Sequence, residues 1–340
     1  MRDPDQIIDE DQLEDLLSEP YPEDVEFGSK LDGDILVLGA GGKMGPTLVQ
    51  RMVRSTDGVK VYAVSRFSDP RHKHNLDRCG AIAISADLLG EAGLAALPDC
   101  PNVIYMVGMK FGASGEEDLT WIMNTYLAGR AAERVKSSRI VAFSTGNVYP
   151  FVSVDSGGSK ETDPTGPVGE YAQSCLGRER VLEYFSRLNS TPVCILRLNY
   201  AVEPRYGVLL DIATKVYRGE PVPIEMGYVN VIWQGDANSV CLRSLGLCKS
   251  PAEILNVAGK ETLSVRSLAE KFAQRFGCQA HFEGKEGDTA LLSNAGRCHQ
   301  LFRVPRVSVD ELLDLIARWV KKGGPTLGKP TKFEVRNGKF

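Results

Sequence analysis

From Asp34 onward, short apolar runs alternate with longer stretches in which apolar positions recur at helical spacing. Ile35-Leu36-Val37-Leu38 enters a glycine cluster, as a buried parallel strand does. Pro46 sits just inside a helix predicted over 46–54, where its missing N–H costs nothing. Further apolar runs predict strands at 59–64, 81–84, 103–107, 140–143, 193–196 and 253–257. Helical stretches are expected over 119–135 and 171–188, and Ser264 opens another that ends near Phe276. Strands separated by helices predict an α/β fold with a doubly wound parallel sheet.

The two ends depart from this rhythm. Between Met1 and Glu26 there are eleven Asp/Glu and one basic residue, Arg2. Leu13, Leu16 and Leu17 stand at i, i+3, i+4, which allows a short amphipathic helix. The plain reading is a solvated acidic lead-in; the alternative is a helix docked on the domain or on a partner subunit. Beyond Ala201 the register loosens around Pro204, Pro221 and Pro223. The tail 323–340, rich in Gly, Pro and Lys, is expected to be an extended surface segment.

The first apolar run leads into Gly39-Ala40-Gly41-Gly42-Lys43-Met44-Gly45, with glycines 39, 42 and 45 spaced G-x-x-G-x-x-G. Between a strand and a helix, this turn lets the backbone approach a pyrophosphate and presents a helix amino end to it. Gly39, Gly41, Gly42, Lys43, Met44 and Gly45 are therefore candidate contacts for a dinucleotide in a Rossmann-type domain. The second strand ends at Val64-Ser65-Arg66 without the carboxylate that would bind a ribose 2′-hydroxyl. Ser65 and Arg66, with Lys43, tilt the reading toward NADP over NAD. Asp87, followed by Leu88, stands where it would accept from the adenine amino group, or else cap a helix.

Composition narrows the setting. The hydrophobic fraction of 43% and charged fraction of 25% are those of a globular protein. A net charge of -4 without a Lys/Arg-rich run excludes a nucleic-acid footprint. No apolar run approaches the roughly 18 residues of a membrane span, and no secretory signal is visible. Eight scattered cysteines read as free thiols of a reducing cytoplasm. His72 and His74, among Arg71, Lys73 and Arg78, read as a solvated segment, so no metal site is expected.

Together these motifs resemble the extended short-chain dehydrogenase/reductases of the NAD-dependent epimerase/dehydratase family, over roughly residues 34–320. Composition sets an acidic extension at 1–30 apart, and the resemblance implies an NAD(P)-binding Rossmann domain at 31–200. A substrate-binding part at 201–322, interleaved with the Rossmann core, and a tail at 323–340 would follow. Val103-Ile104-Tyr105-Met106-Val107-Gly108-Met109-Lys110 is similar to the family's fourth strand and turn, implying cofactor contacts at Val107, Gly108 and Lys110. Asn124 matches the family's helix asparagine. Ser144-Thr145-Gly146-Asn147-Val148-Tyr149 resembles the catalytic Ser/Thr turn, which puts Thr145 at the catalytic hydroxyl and Asn147 beside the substrate. Arg197-Leu198-Asn199 resembles the family's Arg-x-x-Asn, one residue short.

Tyr171 matches the family's general acid/base, but position 175, one turn on, holds Cys175 in place of lysine. The missing ammonium would lower the phenol's pKa and bind the nicotinamide ribose, and a thiol does neither. Three readings stay open. The protein is an oxidoreductase, epimerase or dehydratase in which Lys110, Lys160, Arg178 or the oxidised nicotinamide supplies the charge; or a cofactor-binding sensor or regulatory protein without turnover; or a catalyst of another reaction, with Cys175 as nucleophile its weakest form. Tyr171→Phe should cost more activity than Cys175→Ala, and Cys175→Lys should raise the rate if charge alone is missing. The implied substrate is a sugar or nucleotide sugar, with a small hydroxy-acid as the alternative. Asn199, Arg205, Arg197 and Tyr206 are candidates to grip it, while Trp121, Trp233 and Trp319 are expected in the core. The family's pairing of long helices implies a possible homodimer.

Overall fold

The structure, a computed structural model, describes residues 9–110, 115–329 and 331–338. The first eight residues of the acidic extension and the last two of the tail lie outside the described residues. Seven strands form one parallel sheet: β1 (Ile35–Leu38), β2 (Val61–Ser65), β3 (Ile82–Ser85), β4 (Asn102–Tyr105), β5 (Arg139–Thr145), β6 (Val193–Leu198) and β7 (Glu253–Val257). Their order is β7-β6-β5-β4-β1-β2-β3, so every predicted strand is present within a few residues. The order reverses at β1, which pairs with β2 on one side and β4 on the other. A crevice opens at the carboxyl ends of strands at such a switch point.

Burial on both faces explains the unbroken apolar run of β1. Ile35 and Val37 pack with Leu48, Val49 and Met52 of the helix Gly45–Ser55, while Leu36 and Leu38 pack with Leu127, Ala128 and Ala131 on the other face. All four strand residues are fully buried, each contributing about 1.5–3 kcal/mol before entropy is counted.

In chain order the helices that shape the site are α1 (Glu10–Ser18), α2 (Pro22–Gly28) and α3 (Gly45–Ser55). Next comes α4, which runs through Glu117–Trp121, a π-turn Ile122–Tyr126 and Leu127–Arg134. After it stand α5 (Glu170–Asn189), α6 (Val208–Arg218), α7 (Gln234–Arg243), α8 (Val265–Phe276) and α9 (Val309–Lys321). The second lobe has its own core, in which α6, α8 and α9 pack together.

Both ends correct the expectation. The acidic lead-in is docked: Leu13, Leu16 and Leu17 are buried in the core of the second lobe. Asp24 of α2 is fully buried between Arg51 at 2.6 Å and Arg243 at 3.1 Å, and accepts from Ser239. The net negative charge of this segment meets buried arginines, so a solvated lead-in becomes a fixed part of the fold. The tail likewise packs inward. Thr331 donates through its backbone N–H and its hydroxyl to Asp211 at 2.8 and 2.5 Å. Phe333 is buried in the second core, and Arg336 donates to Thr289. Gly338 lies so close to Gly169 that a Cβ on Gly169 would stand 2.4 Å from the Gly338 carbonyl oxygen. Composition pointed to surface because the tail's few anchoring residues sit among Gly and Lys.

Candidate active site

The glycine turn hugs the sheet. Gly39 has φ +92, and a Cβ there would lie 2.9 Å from the Val107 nitrogen; one on Gly45 would lie 2.1 Å from the Ala40 oxygen. A Cβ on Gly41 would meet Ser65 Oγ at 2.6 Å, whereas Gly42 faces open space apart from Gly39 O at 3.3 Å. Helix α3 begins without a side-chain cap and without an acid in its first turn, leaving its amino end to an anion. These features fit a dinucleotide pyrophosphate. Met44 is buried against the turn and Ser65 is half-buried, while Arg66 is exposed at the end of β2. Phe67, a residue the pattern did not single out, takes φ 46 and brings its ring to 3.5 Å from where a Gly41 Cβ would stand. Asp87 is exposed and accepts from the Leu89 N–H at 3.1 Å in a local turn, while Leu88 is buried in the core.

Lys43 does not follow the turn toward α3. Its ammonium donates to Ala201 O at 3.0 Å and lies 3.9 Å above the Tyr206 ring, so it reaches across to the segment that follows β6. Burial lowers it to about 7, with Glu203 opposing. Lys110 reaches the same cavity from the turn after β4. It donates to Thr331 O at 3.4 Å and stands 6.0 Å from the centre of the Tyr171 ring. Burial lowers it to about 8, with Asp211 opposing.

Thr145 ends β5 and Tyr171 opens α5, and both line the same cavity. Thr145 Oγ1 also donates to Asn147 Oδ1 at 3.0 Å and accepts from the Asn147 N–H at 3.2 Å. Cys175 packs against Tyr171 one turn along α5. Burial, and then Cys175, push the Tyr171 phenol well above its ordinary range; Arg178 and Thr145 pull the other way and do not prevail. Cys175 is 1% exposed and its thiol is raised by burial, the opposite of an activated nucleophile.

Lys43, Lys110, Thr145, Asn147, Tyr171 and Asn199 line one cavity of about 170 Å³, together with Tyr200, Tyr206 and Thr331. Outside it, Tyr149, Tyr200, Met226 and Leu291 face Val335 and Gly338 of the tail across a recess of about 20 Å³. Pockets for drug-sized ligands run to about 300–1,000 Å³, so this cavity, lined in part by Thr331 of the tail, has room for a small occupant.

Several predicted contacts have other work. Asn124, in the π-turn, spends its whole amide group: Nδ2 donates to Met109 O and Ser174 Oγ, and Oδ1 accepts from the Met109 N–H and from Arg178. It fixes the turn that carries Lys110, so the expected cofactor contact becomes a positioning residue; one-turn π insertions often mark such places. Val107 is buried in the core, and Gly108 is small because a Cβ there would meet Arg178 Nη2 at 2.7 Å. Arg205, expected at the substrate, is pinned by Glu203, Glu14 and Glu10 at 3.2, 3.2 and 3.4 Å. Arg197 is fully committed to Glu179 at 2.7 Å and to Tyr149 Oη at 2.7 Å. Behind the site this pair continues a buried polar chain: Ser144 donates to Glu179 at 2.5 Å, and Tyr149 to Asn256 at 2.8 Å. Lys160 is exposed and outside the cavity. Trp121 is at the surface, donating to Glu170 at 2.6 Å, whereas Trp233 and Trp319 are buried. The charge pattern alone did not reveal the internal partners of Arg197 and Arg205, because Glu179 lies 18 residues from Arg197 and two of the three carboxylates around Arg205, Glu10 and Glu14, lie in the acidic lead-in.

A parallel doubly wound sheet with a glycine turn at its switch point, facing a Thr–Tyr pair, defines the dinucleotide-binding class of oxidoreductase folds. This chain belongs to the NAD dependent epimerase/dehydratase family, whose model matches residues 35–230. That is a family of enzymes with a cofactor of the NAD type. Among solved structures, the chain is similar to UDP-glucuronic acid 4-epimerase from Bacillus cereus in complex with NAD. The TM-score is 0.72 at 18% identity, covering 85% of this chain and 99% of that one. UDP-glucose 4-epimerase from Thermotoga maritima with UDP-glucose gives 0.71 at 19% identity, covering 85% and 99%. dTDP-glucose 4,6-dehydratase from Bacillus anthracis with NAD gives 0.72 at 16% identity, covering 85% and 96%. At these identities the likeness establishes the fold. No curated protein matches the chain.

Proposed function

We propose that this protein is an NAD(P)-dependent oxidoreductase or epimerase/dehydratase acting on a hydroxyl of a sugar or nucleotide-sugar-like substrate. The observation that carries the reading is that Thr145, Tyr171 and Lys110 line one cavity with Lys43 of the glycine turn. The nicotinamide, when bound, accepts or returns a hydride. Tyr171 is the group that takes and returns the hydroxyl proton, and Thr145 orients the same oxygen. Asn147 and Asn199 flank it with amide groups, and Lys110 brings a cation to the cavity. Gly39, Gly41, Gly42, Met44 and Gly45 cradle the pyrophosphate in this reading. Ser65 and the exposed Arg66 favour NADP over NAD.

A second reading, a weakened cofactor-binding sensor or regulatory protein, draws on the raised Tyr171 phenol and on the tail that narrows the cleft. Titration with NADPH and NADH, followed by nicotinamide fluorescence, tests both. Binding followed by cofactor reduction or epimerisation across a panel of nucleotide sugars, free sugars and hydroxy-acids supports the enzyme. Binding without turnover leaves the sensor, and no binding to either form removes both readings.

The domain reading keeps 31–200 as the cofactor domain and 201–322 as the substrate part, with the extension and the tail as its clasps. A homodimer is part of the proposal. Leu119, Trp121, Ile122 and Tyr126 of α4, with Tyr184 and Leu188 of α5, are exposed apolar residues on the two helices that would pair. No helix among the described residues is long and apolar enough to cross a membrane. The cytoplasmic setting rests on the cysteines, which are all unpaired.

A further inference from the structure

The family pattern provides a cation at position 175, and this chain has none there. One turn further along α5, Arg178 is buried at 5% exposure. A helical side chain leans back over the turn that precedes it, so a long residue at 178 delivers its head group beside position 175. The distances bear this out: Arg178 Nη2 is 4.0 Å from Cys175 Sγ, and Tyr171 packs against Cys175. A lysine at 175 would compete with the guanidinium for this space, whereas a cysteine is short enough to leave it free.

The guanidinium is held in a fixed pose by neutral groups. Nε donates to Asn124 O at 3.0 Å, Nη1 to Phe143 O at 2.7 Å and Nη2 to Asn124 Oδ1 at 2.8 Å. No carboxylate among the described residues pairs with it. Its neighbour Glu179 is already matched by Arg197. A buried cation compensated only by carbonyl dipoles is costly, and its field remains available to a nearby anion. The other charged or titratable groups around it are Cys175 and Glu179 of α5, Tyr105 of β4, Lys110 of the following turn and Arg197 of β6. Of the cations among these, Arg178 stands 4.0 Å from the Cys175 thiol, while Lys110 stands 6.0 Å from the centre of the Tyr171 ring. Gly108 and Asn124, both expected at the cofactor, instead make room for this guanidinium and bind it.

We propose that Arg178 is the relocated cation of this site, a positioning residue that acts on Tyr171 across Cys175 and takes over the electrostatic part of the missing lysine's role. The inference rests on Tyr171 being the acid/base of the proposed function, yet its test needs neither cofactor nor substrate. The free protein is labelled with difluorotyrosine, whose phenol is more acidic. Tyr171 is assigned in the fluorine NMR spectrum by Tyr171→Phe, and its line is titrated.

Arg178→Gln keeps N–H donors for the carbonyls and removes the charge. It is expected to raise the proton affinity of Tyr171 about tenfold or more, the effect of an opposite charge at close range. Because the single variant removes a buried anchor, two double variants of matched bulk separate charge from packing. Cys175→Met with Arg178→Met should show the same rise, and Cys175→Lys with Arg178→Met should return the titration to the parent's. An unmoved titration in Arg178→Gln, or equal titrations in the two doubles, overturns the proposal. So does a tenfold shift in Lys110→Met that Arg178→Gln lacks. A protein without turnover would still give a readable titration, so failure of the functional reading stays separate from failure of this one.

Discussion

The glycine turn at the head of α3 and the tyrosine turn at the head of α5 face one cavity, but they are built on opposite principles. The first works with backbone. Gly39, Gly41 and Gly45 are dictated by contacts a Cβ would make at 2.1 to 2.9 Å, and the helix end behind them is uncapped. The second works with side chains. Thr145, Tyr171, Cys175, Arg178 and Asn124 come from two helices and a strand, and each is defined by its partner. A backbone device tolerates few substitutions and leaves a readable spacing. A side-chain device can exchange a lysine for a cysteine and an arginine one turn away.

The largest effect should separate the two turns. Tyr171→Phe is expected to lower turnover about 10²-fold or more while cofactor affinity, read by nicotinamide fluorescence, stays within about twofold. Equal losses in both would mean that the tyrosine holds the cofactor rather than moving a proton. The converse change is Gly45→Ala, whose Cβ would stand 2.1 Å from the Ala40 oxygen. Because backbone cannot yield there as a flexible side chain would, the same fluorescence titration should show at least about a tenfold loss of cofactor affinity.

A third change tests the tail that roofs the tyrosine side only. Phe333→Ala removes a buried anchor and should cost about 3 kcal/mol in denaturant unfolding. It should also improve binding of nucleotide-sized ligands relative to small sugars. Unchanged selectivity would mean that the tail is structural and does not gate the cleft.

Lys43 links the two sides and gives a pH signature. The unfolded chain holds this proton up to roughly 10.4, whereas the buried folded ammonium releases it near about 7. Between these values unfolding takes up a proton, so stability should rise as pH is raised through this window. Lys43→Met should flatten that rise in thermal melts taken from pH 7 to 10. The smallest effect is expected for Cys175→Ala, which removes one buried sulfur: about 1 kcal/mol of stability and less than a tenfold change in rate. A larger loss of rate would make the thiol itself catalytic.

Much of the fold was legible. The seven apolar runs and the glycine spacing are local patterns, so they appear in the chain as they do in space. Strand order, the π-turn at Asn124 and the π-turn's bonds to Met109 and Ser174 were not legible, because they depend on pairings 15 and 50 residues apart. Arg197 and Arg205 show why charge alone misleads. Both have the chemistry to grip an anionic substrate, and both are neutralised internally by Glu179, Glu203 and the acidic lead-in.

By itself the sequence determined a doubly wound sheet, a glycine turn between its first strand and helix, and a tyrosine followed by cysteine, since each follows from residue type at short spacing. Only the tertiary structure decided what surrounds that tyrosine. Folding brings Arg178 back over Cys175, presses the tail against the cleft and docks α1 and α2 on the body. These outcomes turn on how far a side chain reaches and which partner it meets first, and neither is written in spacing along the chain.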